Sequence, residues 1–377
     1  MYDFAVVGCG PAGARFARRA TEEGHDVVVF EKGEVGAPLA CSGHVSTDIW
    51  GFTGPDARDE LLQNRIRGAR FHIDEPANGT GPADDRAREA GKHFDDAEPF
   101  YKDETISNVI DRVGLDRHLA DLAREAGAEV REHHTVTGID EREDRVELTV
   151  STPEDTTTVE AKMIAGSDGP RSRVRDALGL DEPDELLHGV LGFDPDPDHQ
   201  EYVDVHLTAP RFFAWRIPRG DAGVEYGLAA PPGDSVQAQF EQLQRSYGVD
   251  LDRTCSGAIP IGPPDRVTTR RGFLLGDAAA QTKPFTGGGI LYGMTCADHA
   301  VREIDPDWPP TLQGYEQAWR EDLSREIRLG HLLRRAYSLP ESVQRAGLRA
   351  LSGEIGVHMD RPTSLFSRDQ LKALVSR

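Results

Sequence analysis

The chain has 377 residues, with 65 acidic and 43 basic side chains, a formal net charge of −22 and 38% apolar residues. That length supports a sizeable core in two or three structural units, and no apolar run approaches the ~18–20 residues that cross a bilayer. So acidic a surface repels phosphate backbones, which excludes nucleic acid as a partner. The four cysteines, Cys9, Cys41, Cys255 and Cys296, lack both zinc-ligand spacing and a disulfide framework, so no metal site is expected.

Only six of the 43 basic residues are lysine. An acid-rich, lysine-poor surface suits a salt-filled cytoplasm, where screening removes self-repulsion, and points to a halophilic host. The first strand begins almost at Met1, leaving no room for a signal peptide, and free thiols fit a reducing cytoplasm. The charge is uneven. Residues 320–377 hold 11 basic and 7 acidic side chains, a net of +4, which leaves −26 on the first 319.

The organising element comes first. A short apolar run, Phe4 to Val7, feeds the loop Gly8-Cys9-Gly10-Pro11-Ala12-Gly13; a helix is expected over 14–23 and a second buried strand over 26–30, ending at Glu31. This is a βαβ unit with a G-x-G-x-x-G turn. Gly8 permits the tight turn, Gly10 lets the backbone approach a pyrophosphate, and Gly13 lets helix and strand pack closely. The helix N-terminus offers free N–H groups to phosphates. Glu31 lies 18 residues after Gly13, near the distance at which a carboxylate reaches the adenosine ribose, and its charge argues against a 2′-phosphate there. The unit alone leaves FAD and NAD both open.

Next comes a tight loop of small residues, Gly36 to His44. A strand is expected over 66–73 and a long polar loop over 76–99. Asn108 to Arg112 leads into a helix with Leu115, Leu119, Leu122 and Ala123 at helical spacing, closed by Gly127. Alternation from Val130 to Val150 predicts strands and a hairpin. Met163-Ile164-Ala165 is a short buried strand running into Gly166-Ser167-Asp168, which opens another helix. Residues 188–230 read as strands with an aromatic cluster, Phe212, Phe213 and Trp215, and 235–247 as a helix. A last strand, 272–275, meets Gly276-Asp277. The triple glycine 287–289 then starts a helix through Val301, and helices follow beyond Pro310.

The Gly8, Asp168 and Asp277 segments share one form: strand, small or acidic residues, helix. In that order they resemble the three fingerprints of the FAD-dependent aromatic-hydroxylase superfamily, over roughly residues 1–300. Pro38-Leu39-Ala40-Cys41-Ser42-Gly43 matches the P-x-x-C-x-G loop of the geranylgeranyl reductase family. Phe213-Ala214-Trp215-Arg216-Ile217-Pro218, with Gly227 nine residues on, is similar to that family's aromatic substrate motif. It departs in having Phe for the usual Tyr and Ala229 where a second Gly is expected.

The resemblance implies an α/β chain: a Rossmann-like FAD-binding domain (1–70, 105–180 and 255–305), a mixed-sheet substrate domain (71–104 and 181–254) and a C-terminal helical region (306–377). It implies FAD held by the Gly8, Gly10, Ala12, Gly13 turn and Glu31, with the Ala40, Cys41, Gly43 loop against the flavin face. It places Arg112 near the ribityl-phosphate, Val130 by the adenine, and Gly288, Gly289 and Ile290 at the flavin ring. Asp277 can accept a bond from a ribityl hydroxyl, and the helix starting at Ile290 would direct its positive end at the flavin. Phe213, Trp215, Pro218 and Gly227 form the substrate motif, and Cys41 is the candidate proton donor.

Family members reduce C=C bonds of geranylgeranyl chains on membrane lipids, chlorophyll precursors or quinones. No second G-x-G-x-x-G follows a strand, so electrons are expected from an external nicotinamide, deazaflavin or ferredoxin. The basic tail, with Ile327, Leu329, Leu332 and Leu333 among arginines, reads either as a helix lying on an anionic membrane or as a core-packed helix pair. Two rival functions share the fold: an aromatic monooxygenase or halogenase, and a flavin electron carrier with no organic substrate.

Overall fold

The computed structural model describes residues 1–39, 41–54, 56–73, 98–209, 211–233, 236–251, 254–351 and 360–361. Its first sheet runs in the order Glu129–Arg131, Val27–Phe30, Tyr2–Val7, Thr156–Gly166, Val146–Ser151, Thr135–Glu141, with Gly272–Leu274 also paired to Thr156–Gly166. Tyr2–Val7 is parallel to both of its neighbours, and Val7 pairs with Phe30 and with Gly166. Gly272–Leu274 is parallel to the same central strand, with Gly166 opposite Leu274. This register brings the three fingerprint loops out at one edge, beyond the carboxyl ends of the strands, where ligands bind in open α/β sheets.

The first helix is Pro11–Glu22 and buries Ala12, Ala14, Phe16, Ala17 and Ala20. It begins three residues earlier than its apolar pattern suggests. Pro11 at the first helical position has φ preset and needs no N–H partner, so half of the glycine fingerprint is already helical. Small residues on this helix let Arg112–Ala126 and Ile290–Glu303 pack against it. Asp111 caps the Arg112–Ala126 helix through the Val113 N–H at 3.1 Å, and Gly127, at φ +108°, ends it.

The second sheet runs Thr254–Ile261, Glu185–Asp194, Val224–Ala230, Ala214–Pro218, Tyr202–His206, Gly68–His72, Glu98–Tyr101. The strand expected over 66–73 is found as Gly68–His72, with a sheet change just before it. Leu62–Ile66 belongs to a small third sheet with His44–Ser46 and Ser107–Ile110, whereas Gly68–His72 joins the second sheet. The break falls at Arg67, whose N–H bonds to the Glu201 carbonyl at 2.8 Å. Of the loop expected over 76–99, Glu98 and Pro99 belong to a strand; residues 76–97 lie outside the described residues.

Strand alternation sorts the second sheet into two faces. Ala69, Phe71, Val203 and Val205 line a cavity. Asp204, between the two valines, is buried; it accepts two bonds from Arg70 at 2.8 and 2.9 Å and pairs with His72 at 2.8 Å. Burial opposes ionisation of Asp204, but the His72 and Arg70 bonds overcome it and hold its pKa at about 2. His206 pairs with the Tyr247 hydroxyl at 2.7 Å, and burial, reinforced by His72, pushes it down to about 3.

The helix Leu312–Arg335 buries Leu312, Tyr315, Trp319, Leu323 and Ile327, all within the main core. The first half of the tail is therefore core packing. Large apolar side chains become exposed only further on, at Leu332, Leu339 and Val343. Among the described residues, no helix is long and apolar enough to cross a membrane.

Candidate active site

One cavity of about 1090 Å³ lies between the two large sheets, just above the ~300–1,000 Å³ typical of ligand sites. Its polar end is made by backbone. Gly10, Pro11 and Ala12 line it, and the Pro11–Glu22 helix has no side-chain cap, so its first N–H groups face the cavity edge. No atom lies within 4 Å of where a Gly10 side chain would start. The Ile290–Glu303 helix also lacks a side-chain cap, and Gly288, Gly289 and Ile290 line the same cavity. A Gly289 side chain would occupy the place of the Asp277 carboxylate.

Several expected residues stand behind the cavity wall. Gly8, at φ +94°, leaves no room for a side chain against the Ser167 backbone, and Gly13 leaves none against the Ser167 hydroxyl. That hydroxyl donates to the Gly8 carbonyl at 2.8 Å, so the second fingerprint shapes the first. Glu31 accepts from the Cys9 N–H at 2.9 Å and the Gly33 N–H at 3.3 Å. Val130 pairs with Val29 at the sheet edge. Gly43 allows close approach to the Ile110 carbonyl, and its own carbonyl accepts from the Ile110 N–H at 3.0 Å. Ala40 lies outside the described residues.

Cys41, Arg112 and Asp277 come together on the cavity from three distant segments. Cys41 is exposed to the lumen. Burial pushes its thiol up, Arg112 opposes that, and Asp277 adds to it. Arg112 is paired with Asp116 at 2.5 Å, and its Nε has no hydrogen-bond partner among the described residues. Burial pushes the Asp277 carboxyl up to about 6, against the pull of Arg112. His44 bonds Ser107 at 2.7 Å, and burial, with Lys283 nearby, pushes it down to about 4, so it is neutral at pH 7.

The far end of the cavity is apolar, lined by Phe71, Leu191, Val203, Phe213, Trp215 and Leu339 among others. Phe213 stacks on Phe212 at 4.5 Å and meets Trp215 at 5.8 Å. Trp215 pairs in register with Gly227, and a side chain at Gly227 would strike the indole ring. Gly227 therefore belongs to the motif by making room for Trp215. Pro218 ends the same strand, off the cavity. Tyr337 from the C-terminal region stands edge-on to Phe213 at 5.9 Å and donates to the Phe285 carbonyl at 2.8 Å.

A model of the FAD binding domain matches residues 60–228. Digeranylgeranylglycerophospholipid reductase 2 of Methanothermobacter thermautotrophicus is 28% identical over 374 residues, covering 94% of this chain and 92% of its own length. The digeranylgeranylglycerophospholipid reductase of Methanosarcina acetivorans is 27% identical over 364 residues, covering 89% and 85%. A solved geranylgeranyl bacteriochlorophyll reductase-like protein from Thermoplasma acidophilum has a TM-score of 0.83 and 20% identity, covering 100% of this chain and 98% of its own.

The chain is an FAD-dependent oxidoreductase, similar over most of its length to digeranylgeranylglycerophospholipid reductases. The p-nitrophenol 4-monooxygenase of Pseudomonas putida shares the fold at a TM-score of 0.68 and 17% identity, covering 100% of this chain and 97% of its own. Fold alone therefore does not separate reduction from oxygenation. The residues present fit FAD: the open Gly10, two uncapped helix N-termini and the unpartnered Arg112 Nε suit an anionic dinucleotide.

Three residues beside the site carry little sequence signal. Lys283 lines the cavity and forms a buried ion pair with Asp360 at 2.6 Å. Tyr337 closes over the aromatic cluster from a distant segment. Glu225 accepts from the Trp215 indole N–H at 2.8 Å. Its one local signal is a lone charge inside the apolar run Val224 to Ala230, where every residue is buried.

Proposed function

We propose that the protein saturates C=C bonds of geranylgeranyl chains carried by a membrane glycerolipid or a quinone. The observation behind this reading is the continuity of one cavity, from backbone donors suited to a dinucleotide to an aromatic and aliphatic channel suited to a prenyl chain. The names of the relatives favour the glycerophospholipid. Bound FAD supplies hydride chemistry, replenished by an external donor.

The chain's own residues do the rest. Phe213 and Trp215 orient the chain and exclude water, and their faces favour positive character on an alkene carbon as it is protonated. An isolated alkene is a poor hydride acceptor, so a proton must accompany the hydride. Cys41 is the donor in this reading, because its raised pKa keeps the proton in place until needed. Arg112 stabilises the thiolate left behind. His44, neutral at pH 7, is a poor acid there.

The exposed side chains Ile106, Leu339 and Val343 edge the apolar end of the cavity. They form an apolar lip at which a lipid tail enters from a membrane surface. Replacing Leu339 and Val343 with serine should weaken flotation with lipid vesicles and leave FAD content unchanged. Full flotation of that variant would contradict the lip.

The function itself is tested by reducing the purified holoprotein with dithionite and adding digeranylgeranyl lipid. Products should gain two hydrogens per double bond. A hydroxylated product or NADPH-dependent peroxide without saturation would overturn the reading in favour of an oxygenase. A Cys41→Ala variant with full turnover would remove Cys41 as the donor.

A further inference from the structure

Lys283 is a buried charge that the mechanism above leaves unused. It is 6% exposed, yet it lines the cavity. Backbone bonds fix its place: its N–H donates to the Gly288 carbonyl at 3.1 Å, and its own carbonyl accepts from the Gly287 N–H at 2.8 Å. The side chain runs beneath the triple glycine. A side chain at Gly288 would come within 2.9 Å of the Lys283 Cε and 3.1 Å of its Nζ. The ammonium therefore stands under the turn that opens the Ile290–Glu303 helix onto the cavity.

Lysine and aspartate are almost never buried unless paired. Here the Lys283 Nζ donates to Asp360 Oδ1 at 2.6 Å. Asp360 is 4% exposed and stands off the cavity. Its carbonyl accepts from the Tyr292 hydroxyl at 2.8 Å, and the next residue, Arg361, donates to Asp322 at 2.7 Å. Tyr292 belongs to the Ile290–Glu303 helix and Asp322 to the Leu312–Arg335 helix, so two helices hold the carboxylate in place. The pair is oriented, with its positive end on the cavity and its negative end behind. His44, on the same cavity, agrees with that order: after burial, Lys283 is the larger influence lowering it, and Asp360 is the smaller one opposing.

A buried ion pair adds little stability, because desolvating both charges offsets most of their attraction. An oriented pair beside a cavity has a use where charge develops. Two electrons and one proton, both from the external donor, leave a net negative charge on a flavin ring. We infer that Lys283 sets the reduction potential of the bound flavin by presenting a fixed positive charge to the reduced ring, and that Asp360 holds that charge in place. No bond forms or breaks at either side chain. Both act through position and charge and are positioning residues. The inference rests on the reading that puts the flavin ring at Gly288, Gly289 and Ile290.

The test is the midpoint potential of the FAD-loaded full chain, titrated with dithionite against a reference dye and without lipid. Lys283→Met should lower it by about 30 mV or more, a tenfold loss of preference for the reduced state in a two-electron couple. If that variant does not fold, combining Lys283→Met with Asp360→Asn removes both charges and leaves neither buried alone. This double variant should also titrate about 30 mV lower. An unchanged or raised potential in either folded, FAD-loaded variant would overturn the proposal and leave the pair as a clasp for residues 360–361. Because no lipid enters the measurement, a failure to saturate prenyl chains would overturn the function proposed above without altering this result.

Discussion

The two ends of the cavity are built by opposite means. At the dinucleotide end the chain works by leaving atoms out: Gly8, Gly10, Gly13 and Gly289 clear space, and two helices begin without side-chain caps. At the apolar end it works by putting atoms in: Phe213, Trp215 and Tyr337 pack edge to face around the channel. At Gly8, Gly13 and Gly289 the first end has no room for an added group. The second tolerates apolar exchange as long as Trp215 keeps its seat on Gly227.

Adding one methyl at the first end should have the largest effect. Gly8→Ala meets both a positive φ and the Ser167 backbone, a cost of about 3 kcal/mol or more. FAD affinity, measured by absorbance titration, should fall roughly a hundredfold; wild-type affinity would break the comparison. Asp204→Asn, on the far face of the substrate sheet, weakens a buried cluster holding Arg70 and His72. Breaking such pairing costs about 3 kcal/mol of stability, seen as a lower denaturant midpoint, yet FAD affinity of the folded protein should not change.

Gly227→Val should act at the second end alone. Displacing the indole costs about 1–3 kcal/mol, so KM for the prenyl substrate should rise about tenfold while the flavin spectrum stays the same. The smallest effect concerns pH. Asp277, at about 6, binds its proton more tightly in the folded chain than in the unfolded one. Stability of the cofactor-free protein from this group should therefore fall as pH rises from about 4 to about 6. His44, lowered to about 4, gives the opposite slope between about 4 and 6.5. Asp277→Asn should remove only the falling component, as followed by thermal melts across that range.

What was legible in the sequence was local. A glycine forced to φ +94° or set where no side chain fits leaves a mark that spacing alone reveals, and three such marks in order carried the fold. Register then explains why they converge, which no single segment states. The strand expected over 66–73 held from Gly68 to His72 but ran past the sheet change at Arg67, whose N–H bonds to the distant Glu201 carbonyl. The tail stayed open between two readings because arginines between leucines read the same whether the apolar face meets lipid or core; Tyr315 and Trp319 meet the core. Glu225 stayed hidden because its partner Trp215 comes from the neighbouring strand.

The account depends on the flavin and the prenyl chain sharing one enclosed space. The most direct measurement is to titrate a saturated, unreactive chain analogue of the lipid into the holoprotein and record the visible flavin spectrum. The account predicts a saturable spectral shift that weakens in Gly227→Val without loss of FAD. Analogue binding that leaves the flavin spectrum unmoved would contradict it.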